Sequence, residues 1–425
     1  MFDTKQLGKK IAHLRKQNGM SQEKLSELLC ISPQAISKWE NGHTTPEISL
    51  LPVLSQIFQC SIDEIIMPAY LSDAEIEKMD KEGIGLDDAA VMEAVRRMHP
   101  NLGHFRIIRE GSEAHERYVS IYITVTASQQ KLRLVKRIYR SEDRELLGYE
   151  LFSRYVTAVP QVYCIDFNRR ILLMEEVTDS IQGIHFDEDN ENGQRFRNTY
   201  RTLLEEIANV HAAFWEKEDA FQKMGIDWRH ETEENLLAHI NGMEQDFLAY
   251  REKEETGRNP KVWNGLCNTI QAEKLDYYLD AAQFLRQKYI SMIDDRFHAG
   301  RQITVIHGDL HPGNIFVSGL PGASVKMIDM EAVRMGLCTE DLSMLLALHI
   351  EPDKERAKPL LSHYYECLCR NVTGYPFEMF MEDYRIAVAE AMFYPIRLIN
   401  RGICDFTMRD RAIRAYETFV ADSTL

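Results

Sequence analysis

His307-Gly308-Asp309-Leu310-His311-Pro312-Gly313-Asn314, followed by a segment that ends at Asp329, decides how the rest of the chain is read. The apolar stretch Ile303 to Ile306 ahead of it reads as a short buried strand, and Ile315-Phe316-Val317 behind it as another. A Gly- and Pro-containing loop pinned by strands at both ends is a rigid mount for polar side chains. Gly319-Leu320-Pro321-Gly322 then signals a turn. Val325 to Ile328 reads as a third strand, returning the chain so that Asp329 faces Asn314.

Asp309, Asn314 and Asp329 can be read as one base and two magnesium ligands. Moving a phosphoryl group onto a hydroxyl requires little covalent help, but it does require a carboxylate near the attacking oxygen and neutralisation of phosphate charge. Mg²⁺ takes hard oxygen donors, and only one or two protein carboxylates among them. The run HGDLHPGN followed by IDME resembles the catalytic loop and metal-binding segment of the aminoglycoside phosphotransferase and choline kinase family, which shares the protein-kinase-like fold. The resemblance implies that Asp309 is the catalytic base, Asn314 a magnesium ligand and Asp329 the main magnesium ligand. It implies ATP (or GTP) and Mg²⁺ as cofactors. Asp341, in Glu340-Asp341-Leu342-Ser343, resembles the family's structural carboxylate.

Such a fold requires a nucleotide-holding lobe upstream. Arg106 to Thr126 alternates and is rich in Ile, Tyr, Val and Thr; Gly111-Ser112-Glu113-Ala114 interrupts it, so it reads as a hairpin. Gly111 to His115 would cover phosphates. Leu132 to Tyr139 alternates as a strand, and Lys136 after Val135 is similar to the family's phosphate-contacting lysine, with Arg133 and Arg137 as rivals on the same strand. Glu142 to Tyr155 has helical periodicity. The resemblance makes Glu145 the partner of Lys136, with Glu150 a competing candidate. Ile171 to Val177 resembles the hinge between lobes, where backbone groups of Glu175 to Val177 would hydrogen-bond an adenine ring.

Between residues 178 and 302 the patterning is helical, as in Phe196 to Trp215, Glu233 to Glu252 and Ala272 to Ile293. The segment His211-Ala212-Ala213-Phe214-Trp215 resembles a recurring one in this family, its aromatics reading first as core. Asp341 to Ile350, Lys358 to Arg370 and Phe380 to Arg401 read as further helices. The chain has a net charge of −16, and residues 1 to 70 hold seven Lys/Arg and seven Asp/Glu, so the negative charge lies entirely on the rest. A negative body concentrates a cationic acceptor; Glu378, Glu382, Asp383 and Glu390 are candidates to touch it, and the sequence does not select among them.

The front of the chain divides into short helices: Gly8 to Gln17, one opening at Ser21, Pro33 to Glu40 capped by Ser32, Pro46 to Phe58, and Ile62 to Ile66. The run SQEKLSELLCISPQAISKWENGHTTPE closely resembles the helix-turn-helix of the phage repressor and Cro type. That implies Pro33, Gln34, Ser37 and Lys38 facing base edges of double-stranded DNA, with Gln34 pairing with adenine and Lys38 with guanine. Gln22, Arg15 and Asn41 would hold phosphates. A segment without net positive charge binds DNA weakly as one copy, so a homodimer reading two half-sites is expected.

The expected architecture is therefore α+β: a bilobal protein-kinase-like fold preceded by a small all-α helix-turn-helix domain. Residues 1–70 form the DNA-binding domain, 71–95 a linker, 96–177 the N-lobe, and 178–425 the C-lobe with a helical acceptor-binding region. Residues 1 to 20 are polar and charged, and no apolar run approaches membrane-spanning length, so no membrane role is expected. The eight cysteines are scattered apart from Cys367 and Cys369, which fits reduced thiols in the cytoplasm. Two functions follow. One is phosphotransfer to a hydroxyl of an aminoglycoside-like or amino-alcohol acceptor. The other is a ligand-sensing transcriptional regulator built on a catalytically silent kinase-like fold.

Overall fold

The computed structural model describes residues 7–8, 11–12, 14–15, 18, 20–29, 31–47, 50–58, 88–127, 131–140, 143–178, 191–217, 232–255, 272–317, 325–349, 354–403 and 406–421. The helix expected over Ile62 to Ile66, the turn over Gly319 to Gly322 and most of the expected linker lie outside them. The chain divides into two compact units, residues 1–146 with 162–176, and residues 147–161 with 177–425.

The first unit opens with α1 (Gln22–Leu29), α2 (Pro33–Glu40) and α3 (Leu51–Phe58). Ser32 caps α2, its hydroxyl accepting from Ala35 N at 3.2 Å, and Pro33 takes the first helical position, where a missing N–H costs nothing. Gly42, at φ +72°, carries the chain away from the end of the helix. Ile11, Leu25, Ile36 and Leu54 are wholly buried in the cluster that joins these helices.

The next helix, α4 (Asp88–Met98), starts within the expected linker. Val91, Ala94 and Val95 pack into the core of the following sheet, so this segment is part of the sheet's own domain. That sheet holds β1 (Phe105–Ala114), β2 (Tyr118–Ala127), β3 (Lys131–Tyr139), β4 (Val162–Asp166) and β5 (Ile171–Glu175), all antiparallel, in the order β1-β2-β3-β5-β4. The hairpin turns at His115 to Arg117, closed by His115 N donating to Tyr118 O at 2.8 Å. Gly111 lies inside β1 beside a bulge, paired with Tyr122. The glycine marks a register slip, not the loop that the alternation suggested.

Helix α5 (Arg144–Tyr155) leads on. The second unit carries α6 (Glu191–Ala213), α7 (Glu233–Glu255) and α8 (Ala272–Met292), then four three-residue strands: β6 (Thr304–Ile306), β7 (Ile315–Val317), β8 (Val325–Met327) and β9 (Arg334–Gly336). β6 pairs with β9, and β7 with β8, both antiparallel. α9 (Cys338–Leu342), α10 (Lys354–Leu368), α11 (Phe377–Ala391), α12 (Phe393–Asn400) and α13 (Phe406–Tyr416) complete it. The single helix expected over Phe380 to Arg401 is two. Pro395 offers no N–H to the carbonyl of Ala391 and crowds it, which accounts for the break there. Among the described residues no helix is long and apolar enough to cross a membrane.

Candidate active site and DNA-reading helix

The loop after β6 is hung from one buried carboxylate. Asp341, 2% exposed in α9, accepts from His307 N at 2.8 Å and from Gly308 N at 2.9 Å. His211 of α6 approaches the same carboxylate with Nε2 at 3.2 Å, while its Nδ1 lies 2.6 Å from the hydroxyl of Tyr364. Burial pushes the Asp341 carboxyl up, but the hydrogen bond and charge of His211, with the Gly308 amide, outweigh it and hold it below the usual carboxylate range. The structural role implied for Asp341 thus has a mechanism: it fixes the backbone two residues ahead of Asp309. Gly308 is required as glycine. Its φ is +80°, and a Cβ there would lie 2.3 Å from the carbonyl oxygen of Ala332.

The loop is laced to the strand that ends before Asp329. His307 Nε2 is 2.8 Å from Ile328 O, so that nitrogen donates, leaving Nδ1 to accept from Asp309 N at 3.3 Å. Ile328 N donates to Asn314 O at 2.9 Å, placing Asp329 directly after a residue bonded to Asn314. Asp329 has φ +65°, unusual for a residue with a Cβ. The Nδ2 of Asn314 faces Asp309, 3.1 Å from its carbonyl oxygen and 3.5 Å from Oδ2. The amide oxygen of Asn314 and the carboxylate of Asp329 are both hard oxygen donors, the class that Mg²⁺ takes and a thiolate-seeking metal does not.

Asp309 borders a cavity of about 250 Å³, lined also by Glu331, Arg334, Glu390, Tyr394 and Arg397. The Tyr394 hydroxyl donates to Asp309 Oδ1 at 3.3 Å, and His311 Nε2 lies 3.7 Å from Oδ2. Of the four carboxylates expected to touch an acceptor, Glu390 lines this cavity, held by His239 at 3.1 Å and by the Tyr289 hydroxyl. Asp383 is instead a buried ion-pair partner of Arg296, at 2.6 and 2.8 Å, and accepts from Tyr375. Glu382 is engaged by Lys288 and Arg385, and Glu378 is exposed. Glu331 was within reach of sequence reasoning, two positions after Asp329. Tyr394 had no signal, since an aromatic in a helix reads as core.

In the first unit, Glu145 is fully buried and receives Arg137 Nη1 at 2.6 Å and Arg117 Nη2 at 3.5 Å. Arg137 also lies over the ring of Tyr118, 4.5 Å from its centre. Arg137, the rival on the same strand, therefore pairs with Glu145. Neighbours on a strand leave opposite faces of the pleat. Lys136, 1% exposed, is in register with Ile121 and Leu173, members of the core cluster that includes α4, while its neighbour Arg137 reaches Glu145. Glu150 pairs with Arg154, one turn along α5. Glu175 closes β5 half-buried, and Val177 follows, also half-buried.

On α2, Gln34 and Lys38 are exposed, Ser37 and Pro33 half-buried, and Asn41 is exposed with Nδ2 donating to Ser37 O at 2.8 Å. Ile36 and Trp39 point into the core. Arg15, expected on a phosphate, is buried. It bonds Glu40 at 2.6 and 3.0 Å and the carbonyl of Met20 at 2.6 Å. Gln22 Nε2 donates to the same Glu40, also at 2.6 Å. This triad ties α1 to α2; its members hold the angle between the helices.

Comparison with known proteins agrees with these two regions. Residues 150–377 match the model of the phosphotransferase enzyme family, and residues 11–65 match a helix-turn-helix model. The front is similar to the HTH-type transcriptional activator BcrR of Enterococcus faecalis, 38% identical over 61 residues, which is 14% of this chain and 30% of that protein. It is also similar to the competence pilus inhibition repressor of Acinetobacter baylyi, 33% identical over 82 residues, 19% of this chain and 68% of that protein. A choline/ethanolamine kinase family protein from Mesorhizobium loti superposes with a TM-score of 0.41 at 13% identity, covering 79% of this chain and 95% of that one.

Proposed function

Because this chain belongs to the phosphotransferase enzyme family, we propose that it transfers the terminal phosphoryl group of ATP (or GTP) to a hydroxyl of a small molecule, and that its helix-turn-helix segment binds double-stranded DNA as a homodimer. The observation that carries the first part is Asp309, mounted on a loop anchored to Asp341 and facing the 250 Å³ cavity with Glu331 and Glu390 in its walls. Asp309 orients the acceptor hydroxyl and takes its proton. The surrounding carboxylates favour an acceptor that carries an amine or another cation. Asn314 and Asp329 would hold Mg²⁺, which supplies charge neutralisation on the phosphates when bound. Arg137, pinned by Glu145, takes the phosphate-gripping role first given to Lys136. Backbone groups from Glu175 to Val177 remain the proposed contacts for the base. Gly111, inside β1, has no part in this assignment.

The test is ADP release from Mg-ATP with a panel of aminoglycosides, choline, ethanolamine and sugars. An acceptor should stimulate release in the native chain, and Asp309→Asn should lower it about 10²- to 10⁴-fold. If no acceptor stimulates ADP release while a ligand of the panel alters DNA binding, the chain is a sensor and the phosphotransferase assignment fails.

A further inference from the structure

One contact at Asp309 is unaccounted for by phosphotransfer itself. Tyr394 stands at the start of α12, just past the break at Met392, and its hydroxyl donates to Asp309 Oδ1 across 85 residues of sequence. The other oxygen, Oδ2, faces the loop's own Asn314 and His311. The two oxygens of the carboxylate are therefore divided, one to the loop and one to α12. Tyr394 and Asp309 both line the cavity, so the phenol occupies the cavity side of the base. Burial, with the charge of Asp309 added, pushes the phenol up to about 12, so it remains a proton donor at neutral pH.

A base that serves an acceptor hydroxyl serves water equally well. In that side reaction the oxygen of water forms a bond to the terminal phosphorus, the bond from phosphorus to the bridging oxygen breaks, and the proton of water passes to Asp309. ADP and inorganic phosphate leave. Resting on the phosphotransfer assignment above, we propose that Tyr394 is a positioning residue that occupies the cavity-facing oxygen of Asp309 until an acceptor hydroxyl displaces it, so that water is not activated in an empty site. The phenol stands in for the acceptor's O–H. It sits on a helix whose start is set by Pro395, and Arg397, three residues on, lines the same cavity.

The experiment needs no acceptor. The full-length chain is incubated with Mg-ATP alone, and inorganic phosphate is measured for the native protein and for Tyr394→Phe, Asp309→Asn and the double variant. Tyr394→Phe keeps the ring and its packing, so the thermal midpoint should barely move. Its phosphate release should rise about tenfold, the scale of one hydrogen bond to a charged acceptor, and Asp309→Asn should abolish the rise. A purely structural tyrosine would leave release unchanged or lower it, and either result overturns the proposal. A rise that persists in the double variant overturns it as well. If Mg-ATP raises the thermal midpoint of none of these proteins, the phosphotransfer assignment itself is at fault and takes this inference with it. If they bind Mg-ATP and Tyr394→Phe is no faster, only the role of Tyr394 fails.

Discussion

Asp341 shows how much one side chain carries. Three groups, the amides of His307 and Gly308 and the imidazole of His211, converge on it in a buried site. Replacing it with Asn should leave part of that set unsatisfied and cost about 3–5 kcal/mol of stability, measured by denaturant unfolding. The pH dependence follows from the same contacts. Its carboxyl is held below the usual 3.8 when folded, so its contribution is fully present above that pH and is lost as the solution is acidified through the folded value. Acid unfolding curves of Asp341→Asn should lack that component; identical curves would rule it out. At this scale, what is legible in the sequence depends on the geometry of the chain. Asp309 and Asn314 lie on one loop, and Asp329 comes two residues after the end of β8, next to a residue bonded to Asn314. Lys136 and Arg137 lie on a strand, where one position decides the face, and the alternation of Leu132 to Tyr139 does not say which face meets the helix.

At the scale of elements, the front helices separate two kinds of polar residue that their sequence mixes. Gln34 and Lys38 are exposed on α2, whereas Arg15, Gln22 and Glu40 are bonded to each other between helices. Gln34→Ala and Lys38→Ala should each lower affinity for the preferred DNA sequence by about 1–3 kcal/mol, read by fluorescence anisotropy, with little change in melting temperature. Glu40→Ala should do the reverse in order of cause, melting the segment first by leaving the buried Arg15 guanidinium without its carboxylate. Equal melting temperatures for Glu40→Ala and the native chain would contradict this division. Helix existence was legible here from caps and periodicity: Ser32 and Pro33 start α2 where expected. The β1–β2 turn was misplaced because Gly111 signals both a turn and a bulge, and only the pairing partner, Tyr122, decides between them. The break before α12 is readable from Pro395, whose ring interrupts the helical period.

The molecule as a whole joins a helix-turn-helix front of zero net charge to a body carrying the entire net charge of −16. Such a body repels the DNA backbone, and the proposed dimer would offset this by adding a second set of contacts. Sedimentation should give a dimer on a DNA with two half-sites about 34 Å apart, and affinity should fall steeply with added salt. A one-to-one complex on that DNA would remove the dimer from the account. The placement of Lys136 bears on how the whole protein answers to chemical profiling. Reagents that report kinases by acylating an amine near the nucleotide need a reachable lysine, but here the amine is walled in at 1% exposure and the adjacent cation is a guanidinium, which keeps its proton and does not acylate. A survey of that type would pass over Lys136, and silence there would say nothing against the proposed phosphotransfer.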